Sequence, residues 1–353
     1  YLVTAHPPLA TILQRVWDQT LKNSQIMLIL CGSYIGMMEE TVLGYQAPLY
    51  GRRTAQYLLE PLQFKDARLF YPSFPLEDQV RAYAVYGGTP AYLHTIQSQQ
   101  SLKDNVLDGI LTRGSFLYDE VRFVLQQELR EPRNYFAILQ AIAAGKTRLN
   151  EIKQATGIEG ATAYLDTLQQ LHLVERIVPV TETQPQKSRR GIYRLKDHYL
   201  RFWFRYVHPN RSQLERGGAQ IILENQVIPE IDHFSSLTFE EVCQQFFWQA
   251  GLSGKLPFVP TNIGNWWNAN EEVDLAVLGE KDAILVECKW TSKPVGIDIM
   301  ADLERKSNLV RTELENCQIH FALCSRSGFT SQLIEDTKRR QDVVLFDLPE
   351  IVR

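Results

Sequence analysis

The chain has 353 residues, of which 44% are hydrophobic and 22% charged, and its formal net charge is −4. This length predicts several domains of ordinary globular composition, and so small a charge excludes a general electrostatic attraction for nucleic acid. No apolar run approaches the roughly 18 residues of a membrane-spanning helix, so we expect no membrane contact. The five cysteines have no paired spacing, which predicts reduced thiols in a cytoplasmic protein.

The first apolar run, Ile26-Met27-Leu28-Ile29-Leu30-Cys31, is typical of a fully buried strand in a parallel sheet. A buried strand needs a neighbour on each side, so we expect the rest of this sheet to come from residues preceding Tyr1. Residues 1–60 are therefore predicted to be the end of a larger α/β domain.

Four motifs follow in chain order: Cys31-Gly32-Ser33-Tyr34-Ile35-Gly36-Met37-Met38, Leu43-Gly44-Tyr45, Pro48-Leu49-Tyr50-Gly51-Arg52-Arg53-Thr54 and Tyr86-Gly87-Gly88-Thr89-Pro90-Ala91-Tyr92-Leu93. Together they resemble the archaeal-type ATPase family, P-loop proteins related to the AAA+ and STAND groups. Members of that family often end in a winged helix and a nuclease-like domain. The resemblance implies a partial P-loop sheet followed by a helical lid at residues 61–132.

The same resemblance implies a nucleotide site. Ser33 would occupy the sensor position, Arg52 or Arg53 would contact phosphate, and Gly88 and Pro90 would form the lid turn beside the nucleotide. The alternative for the two arginines is that they cap or brace the lid. The sequence contains no Gly-x-x-x-x-Gly-Lys-Ser/Thr motif and no acidic magnesium-binding strand. We therefore expect no ATP hydrolysis by this chain, and ATP binding only if the missing N-terminal part is present.

Residues 133–206 are predicted to form a winged helix. Apolar spacing predicts three helices, which begin near Tyr135, Leu149 and Ala161, and then a hairpin of residues 174–178 and 191–195. The third helix has no outward arginine or lysine, so its base reading is weakly supported, and winged helices also bind proteins.

The loop between the two hairpin strands is polar and basic. Its tip carries Lys187, Arg189 and Arg190, residue types that suit contacts with DNA phosphates. DNA is therefore the expected partner. A protein partner and a homo-oligomer remain open.

The final segment, residues 207–353, contains two β-type runs at 273–278 and 283–288, joined by a turn-like sequence. A hairpin here brings Asp274 beside Glu287, and side-chain alternation puts Lys289 on the same face as Glu287. Two carboxylates at 4 Å repel by about 4 kcal/mol at an effective dielectric constant of about 20. A hard divalent cation such as Mg²⁺ would relieve that repulsion.

This arrangement resembles the PD-(D/E)XK nuclease superfamily, in which an acidic residue on the first core helix precedes the Asp and the Glu-x-Lys element. Glu240, at the edge of an apolar helical stripe, is the candidate for that acid. The resemblance implies a restriction-endonuclease-like α/β domain in which Asp274 and Glu287 hold Mg²⁺ or Mn²⁺ and Glu240 assists through water. Lys289 would orient the attacking water. A Glu-x-Lys sequence alone is common, and its ordinary interpretation is a solvated strand face.

The predicted fold class is thus α/β multidomain: partial P-loop sheet, helical lid, winged helix-turn-helix and nuclease-like domain. Three functions remain open. The first is a Mg²⁺-dependent deoxyribonuclease derived from an ATPase. The second is an ATP-binding regulatory protein whose nuclease-like domain binds DNA or a partner without cleaving. The third is a degenerate fragment with interaction roles alone.

Overall fold

The structure is a computed structural model that describes residues 2–32, 38, 44–129, 132–314 and 317–353, without the side chains of residues 3, 4, 127 and 128. Its N-terminal part contains two helices, α1 (Leu2–Ala5) and α2 (Leu9–Gln19). Throughout the described ranges, no helix is both long and apolar enough to cross a membrane.

The apolar run at 26–31 is not a strand, so the prediction of a buried parallel strand is wrong. It belongs to neither of the two sheets, and Ile26, Met27 and Ile29 are 57%, 83% and 68% exposed. Such a run becomes a buried strand only when neighbours pair with both of its edges. The described residues supply no such neighbour. Ser33 lies outside the described residues.

The range predicted as a lid is helical. Its described α-helices are α3 (Phe64–Ala67), α4 (Leu76–Tyr86), α5 (Pro90–Leu93), α6 (Leu102–Val106) and α7 (Phe116–Glu128). A π-helical turn, Leu107–Leu111, follows α6. Gly87 ends α4 with φ +67°, a conformation that favours glycine. The next residue, Gly88, lies directly against the Leu62 backbone, where a Cβ would come 1.9 Å from the carbonyl oxygen.

Residues 132–195 form three helices and a hairpin, in the order expected of a winged helix. The elements are α8 (Pro132–Ala143), α9 (Leu149–Thr156), α10 (Ala161–Gln170), β1 (Val174–Ile177) and β2 (Ile192–Leu195). The two strands are antiparallel, with Val174 opposite Leu195. We call the loop between them, residues 178–191, the wing.

An aromatic helical segment connects this module to the C-terminal sheet. It includes π-helical turns at Trp203–Val207 and Leu223–Val227. The helices are α11 (His198–Phe202), α12 (Arg211–Leu214), α13 (Ala219–Ile222) and the long α14 (Ile228–Leu252). Buried indole and phenol groups of Trp203 and Tyr199 donate hydrogen bonds to backbone carbonyls of α7, at 2.8 and 2.5 Å. Aromatic packing therefore joins the lid helices to the rest of the chain.

The C-terminal part is a five-stranded mixed sheet with the order β3-β4-β5-β6-β7. Its elements are β3 (Asn262–Trp267), β4 (Glu272–Leu278), β5 (Asp282–Lys289), α15 (Ile297–Val310), β6 (Gln318–Ser325), α16 (Ser331–Thr337), β7 (Val343–Asp347) and α17 (Leu348–Val352). The first three strands are antiparallel, and the last three are parallel. Apolar cores lie on both faces of the sheet, with α14 in one and α15 in the other.

Candidate metal-binding site

Asp274, Glu287 and Lys289 meet at one end of the β4–β5 hairpin. Leu275 pairs with Val286, so Asp274 and Glu287 are the next residues on the two strands. The Cys288 backbone N–H donates to Asp274 Oδ2 at 2.7 Å. Lys289 Nζ lies 2.7 Å from Glu287 Oε1 and 3.8 Å from Asp274 Oδ2. One ammonium group therefore contacts both carboxylates at the same corner of the sheet.

A second lysine, Lys306 of α15, contacts the same glutamate. Its Nζ lies 3.4 Å from Glu287 Oε1 and 3.1 Å from Asp302 Oδ2. Both Glu287 and Lys306 are buried. The sequence analysis missed Lys306 because this contact depends on how α15 packs on the sheet. The one available signal is the spacing Asp302-x-x-x-Lys306, which is common on exposed helix faces.

Glu240 approaches Asp274 from α14. The Asn265 side-chain amide bridges the two residues, since its Nδ2 donates to the Asp274 carbonyl at 2.7 Å and to Glu240 Oε2 at 3.3 Å. Burial, and then the nearby charge of Asp274, raises the pKa of Glu240 to about 8. Burial and the charge of Glu287 raise the pKa of Asp274 to about 6. The protein therefore holds Glu240 and Asp274 where their ionised forms are poorly stabilised.

The charge on Lys289 is maintained by the same acids. Burial alone would lower the pKa of this amine, but the charges of Asp274 and Glu287 outweigh burial and raise it. Glu287 Oε2, in contrast, is buried and accepts no hydrogen bond from any residue that the structure describes. A buried carboxylate oxygen without a partner beside two further acids fits the all-oxygen ligand set of Mg²⁺ or Mn²⁺.

Two of the three acids, Glu240 and Asp274, line a cavity of about 620 Å³, together with Lys306. Arg148, before α9, and Arg194, on β2, line the same cavity. Among the charges that act on Glu240, that of Arg194 is the largest one opposing the rise of its pKa. Residues of the three-helix module and residues of the sheet thus form one site.

The wing is attached to the sheet, which changes the interpretation of Arg190. The Val180 N–H donates to the Asn265 carbonyl at 2.9 Å, so the wing continues the edge of β3. Arg190 forms ion pairs with Glu313 at 2.9 Å and Glu182 at 3.2 Å. The expectation that Arg190 is held out toward DNA phosphate is therefore not met, because its guanidinium is already bound by two carboxylates. Lys187 and Arg189 are exposed.

The expected nucleotide residues make internal contacts. Arg52 forms an ion pair with Asp18 at 2.8 Å and donates to the carbonyls of Pro48 and Tyr50, which precede the range predicted as the lid. The Arg53 guanidinium lies 5.9 Å from the centre of the Tyr50 ring. Gly88 packs against Leu62 and Pro90 begins α5, so the observed contacts of this turn serve packing.

The tryptophans near the site divide into two groups. Trp266 is buried, and Trp290 is buried between Arg326 and Arg81, whose guanidinium carbons lie 5.0 and 5.9 Å from its ring. Both therefore pack in the core. Trp267 is half-buried and lines the cavity.

Behind Glu287, on the opposite face of β5, three buried thiols lie with their sulfur atoms within 4.8 Å of one another. They are Cys243, Cys288 and Cys324. All five cysteines of the chain are free.

The chain is similar to an uncharacterized protein of Methanocaldococcus jannaschii, MJECL04. It is 36% identical over 355 residues, which span 99% of this chain and 77% of the relative. The chain belongs to the same family as this archaeal protein. Residues 203–313 of the chain also match DUF234, a family of archaeal and bacterial proteins of unknown function. That range contains every acid and lysine of the candidate site.

Two solved structures resemble the chain weakly. Can2 from Sulfobacillus thermosulfidooxidans, in complex with cyclic tetra-adenylate, is 14% identical with a TM-score of 0.24, over 66% of this chain and 53% of Can2. VC1899 from Vibrio cholerae is 12% identical with a TM-score of 0.26, over 86% of this chain and 62% of VC1899. The chain thus spans less than two thirds of either protein. At such TM-scores neither likeness supports a conclusion about this family member.

Proposed function

We propose that this protein is a metal-dependent nuclease that hydrolyses phosphodiester bonds in DNA at the Asp274–Glu287 corner of the sheet. The observation that supports this function is the convergence of buried Glu287, half-buried Asp274 and Lys289, with Glu287 Oε2 lacking a partner among the residues that the structure describes. Closely spaced acids and an ammonium group at the end of a buried sheet cost folding free energy unless a bound ligand stabilises their charges.

Asp274 and Glu287 would hold Mg²⁺ or Mn²⁺, and Glu240 would assist through a water molecule. When bound, such a cation supplies positive charge for the phosphate oxygens and lowers the pKa of water. The amide of Asn265 keeps Glu240 oriented toward this corner, because it is bound at the same time to the Asp274 carbonyl.

Lys289 and Lys306 have different roles in the proposal. Lys289 is partly exposed, stays protonated beside the two acids, and stabilises negative charge that develops on the phosphate. Lys306 is buried, and its ammonium group contacts Glu287 and Asp302. It is therefore a positioning residue that holds Glu287 Oε1 and leaves Oε2 directed to the ligand.

Binding of DNA would use the three-helix module as a winged helix. Lys187 and Arg189 are exposed on the wing, and Arg148 and Arg194 line the cavity. These contacts involve the phosphate backbone, so we propose binding with little sequence preference and with strong dependence on salt.

A second function is favoured by one ion network between the helical lid and the site. Arg326, at the end of β6, binds Glu77 of α4 at 2.7 Å and Asp232 of α14 at 2.8 Å. Arg81 of α4 binds the same Asp232, also at 2.8 Å. This network surrounds Trp290, the residue after Lys289. A lid that responds to ATP would thereby act on a nuclease-like domain that binds DNA or a partner without cleaving it.

The test is cleavage of circular DNA, in single-stranded and duplex form, with Mg²⁺ or Mn²⁺ and with EDTA. We expect cation-dependent cleavage that falls by roughly 10²- to 10³-fold in Lys289→Ala, since a charge aimed at the transition state is removed. Lys293→Ala, at an exposed lysine four residues further on, is the matched control and should cleave normally.

Cleavage that persists in EDTA, or that is equal in Lys289→Ala and in the control, would contradict the proposal. Salt-sensitive DNA binding without any cleavage would support the second function instead.

A further inference from the structure

The wing crosses the edge of the sheet beside the cavity. The wing backbone pairs with β3 at Val180 and Asn265. The side chain of Arg190 binds Glu313 and the Trp267 carbonyl, and the Trp267 indole donates back to the Arg190 carbonyl at 3.2 Å. We call these contacts the wing clamp. They tie the wing to the sheet at Trp267, which lines the cavity.

The shape of the cavity suits a single strand. Its volume of about 620 Å³ accepts a short stretch of strand whose phosphates and bases enter one after another. The bases of a duplex are paired and stacked, so they reach this lining only after the strands separate.

The lining of the cavity has the chemistry that binds a single strand. Arg148 and Arg194 line the same cavity as Asp274 and Glu240, and their guanidinium groups suit contacts with backbone phosphates. The half-buried indole of Trp267 offers a surface on which a base stacks. Asn268 and Asn270, in the turn between β3 and β4, offer amide groups to base edges.

From these observations we propose that the substrate of the Asp274–Glu287 site is single-stranded nucleic acid, and that the wing clamp excludes duplex. The inference rests on the proposed nuclease function and adds the substrate class to it. The phosphodiester backbone is shared by DNA and RNA, and the experiment distinguishes them.

The experiment compares labelled oligonucleotides of one sequence as single-stranded DNA, as duplex DNA and as single-stranded RNA. Cleavage is followed with Mn²⁺, and affinity is measured with Ca²⁺ in place of Mn²⁺. We expect the full chain to prefer single strands over duplex by on the order of tenfold or more. A tenfold preference corresponds to the binding free energy of about one base stacked on an aromatic side chain. The DNA and RNA arms then show which strand is used.

Two variants test the structural reason. Arg190→Ala removes the clamp ion pair, so duplex cleavage should rise relative to single-strand cleavage. Arg148→Gln should weaken single-strand affinity several-fold without change in folding, whereas Lys146→Gln, an exposed neighbour outside the cavity, should leave it unaltered. The Arg148 variant keeps the test decisive if Arg190→Ala fails to fold.

If the full chain cleaves or binds duplex as strongly as single strands, the inference is wrong and the nuclease function is unaffected. If neither form is cleaved, the proposed function fails, and the affinities alone decide the preference. Absence of binding to all three oligonucleotides would overturn the inference as well.

Discussion

Glu240 and Asp274 of the candidate site should make the protein less stable as the pH rises. The pKa of Glu240 is about 8, compared with an ordinary value of 4.5. Between these values the folded state keeps a proton that the unfolded state has lost, so the unfolding free energy falls by about 1.4 kcal/mol per pH unit. The difference of 8 − 4.5 = 3.5 pKa units sets an upper limit of roughly 5 kcal/mol on this loss of stability. Solvent relaxation around the carboxyl group reduces the loss toward about 2 kcal/mol.

Glu240→Gln tests this reasoning because glutamine matches the protonated form of glutamate and does not titrate. Urea unfolding is measured in EDTA from about pH 5 to about pH 9, a window that contains the raised pKa. Near pH 5 the variant and the parent should have similar stability, and near pH 8 the variant should be more stable by about 2 to 5 kcal/mol. Glu280→Gln, in the exposed β4–β5 turn, is the control and should follow the parent.

An identical pH slope for Glu240→Gln and the parent would refute the burial argument for this acid. Mg²⁺ gives a second readout. By binding ionised acids of the folded state, it should restore stability at high pH in the parent more than in Glu240→Gln.

Two further predictions concern packing and positioning. Gly88→Ala should lower the free energy of unfolding by about 2 to 4 kcal/mol, because its Cβ would lie 1.9 Å from a backbone oxygen; Gly160→Ala, with open space around the new Cβ, should change it little. Lys306→Met keeps the aliphatic stem but removes the ammonium group that holds Glu287 Oε1, so cleavage should fall by roughly 10- to 100-fold while the protein stays folded. Unchanged cleavage would argue against the positioning role.

The sequence was sufficient to predict the local geometry of the site. Two apolar runs of equal length around a short turn predict the pairing that brings Asp274 beside Glu287, and strand alternation predicts the side of Lys289. These are properties of neighbouring residues in one hairpin.

Features that depend on tertiary packing were beyond the sequence argument. Lys306 reaches Glu287 only because α15 crosses the sheet at that point, and Arg190 binds Glu313 across 123 positions of the chain. The run at 26–31 failed as a strand for a related reason. Its apolar pattern indicates burial in a sheet, but the pattern carries no information on whether partner strands lie beside it.

The most direct test of the central claim is a calorimetric titration of the protein with Mn²⁺. We predict one binding site per chain, with affinity reduced by at least roughly tenfold in Asp274→Asn and in Glu287→Gln, as the loss of a carboxylate ligand requires. Asp298→Asn, at an exposed acid at the start of α15, should bind as the parent does. No binding by the parent, or equal binding by all four proteins, would show that Asp274 and Glu287 do not share a cation.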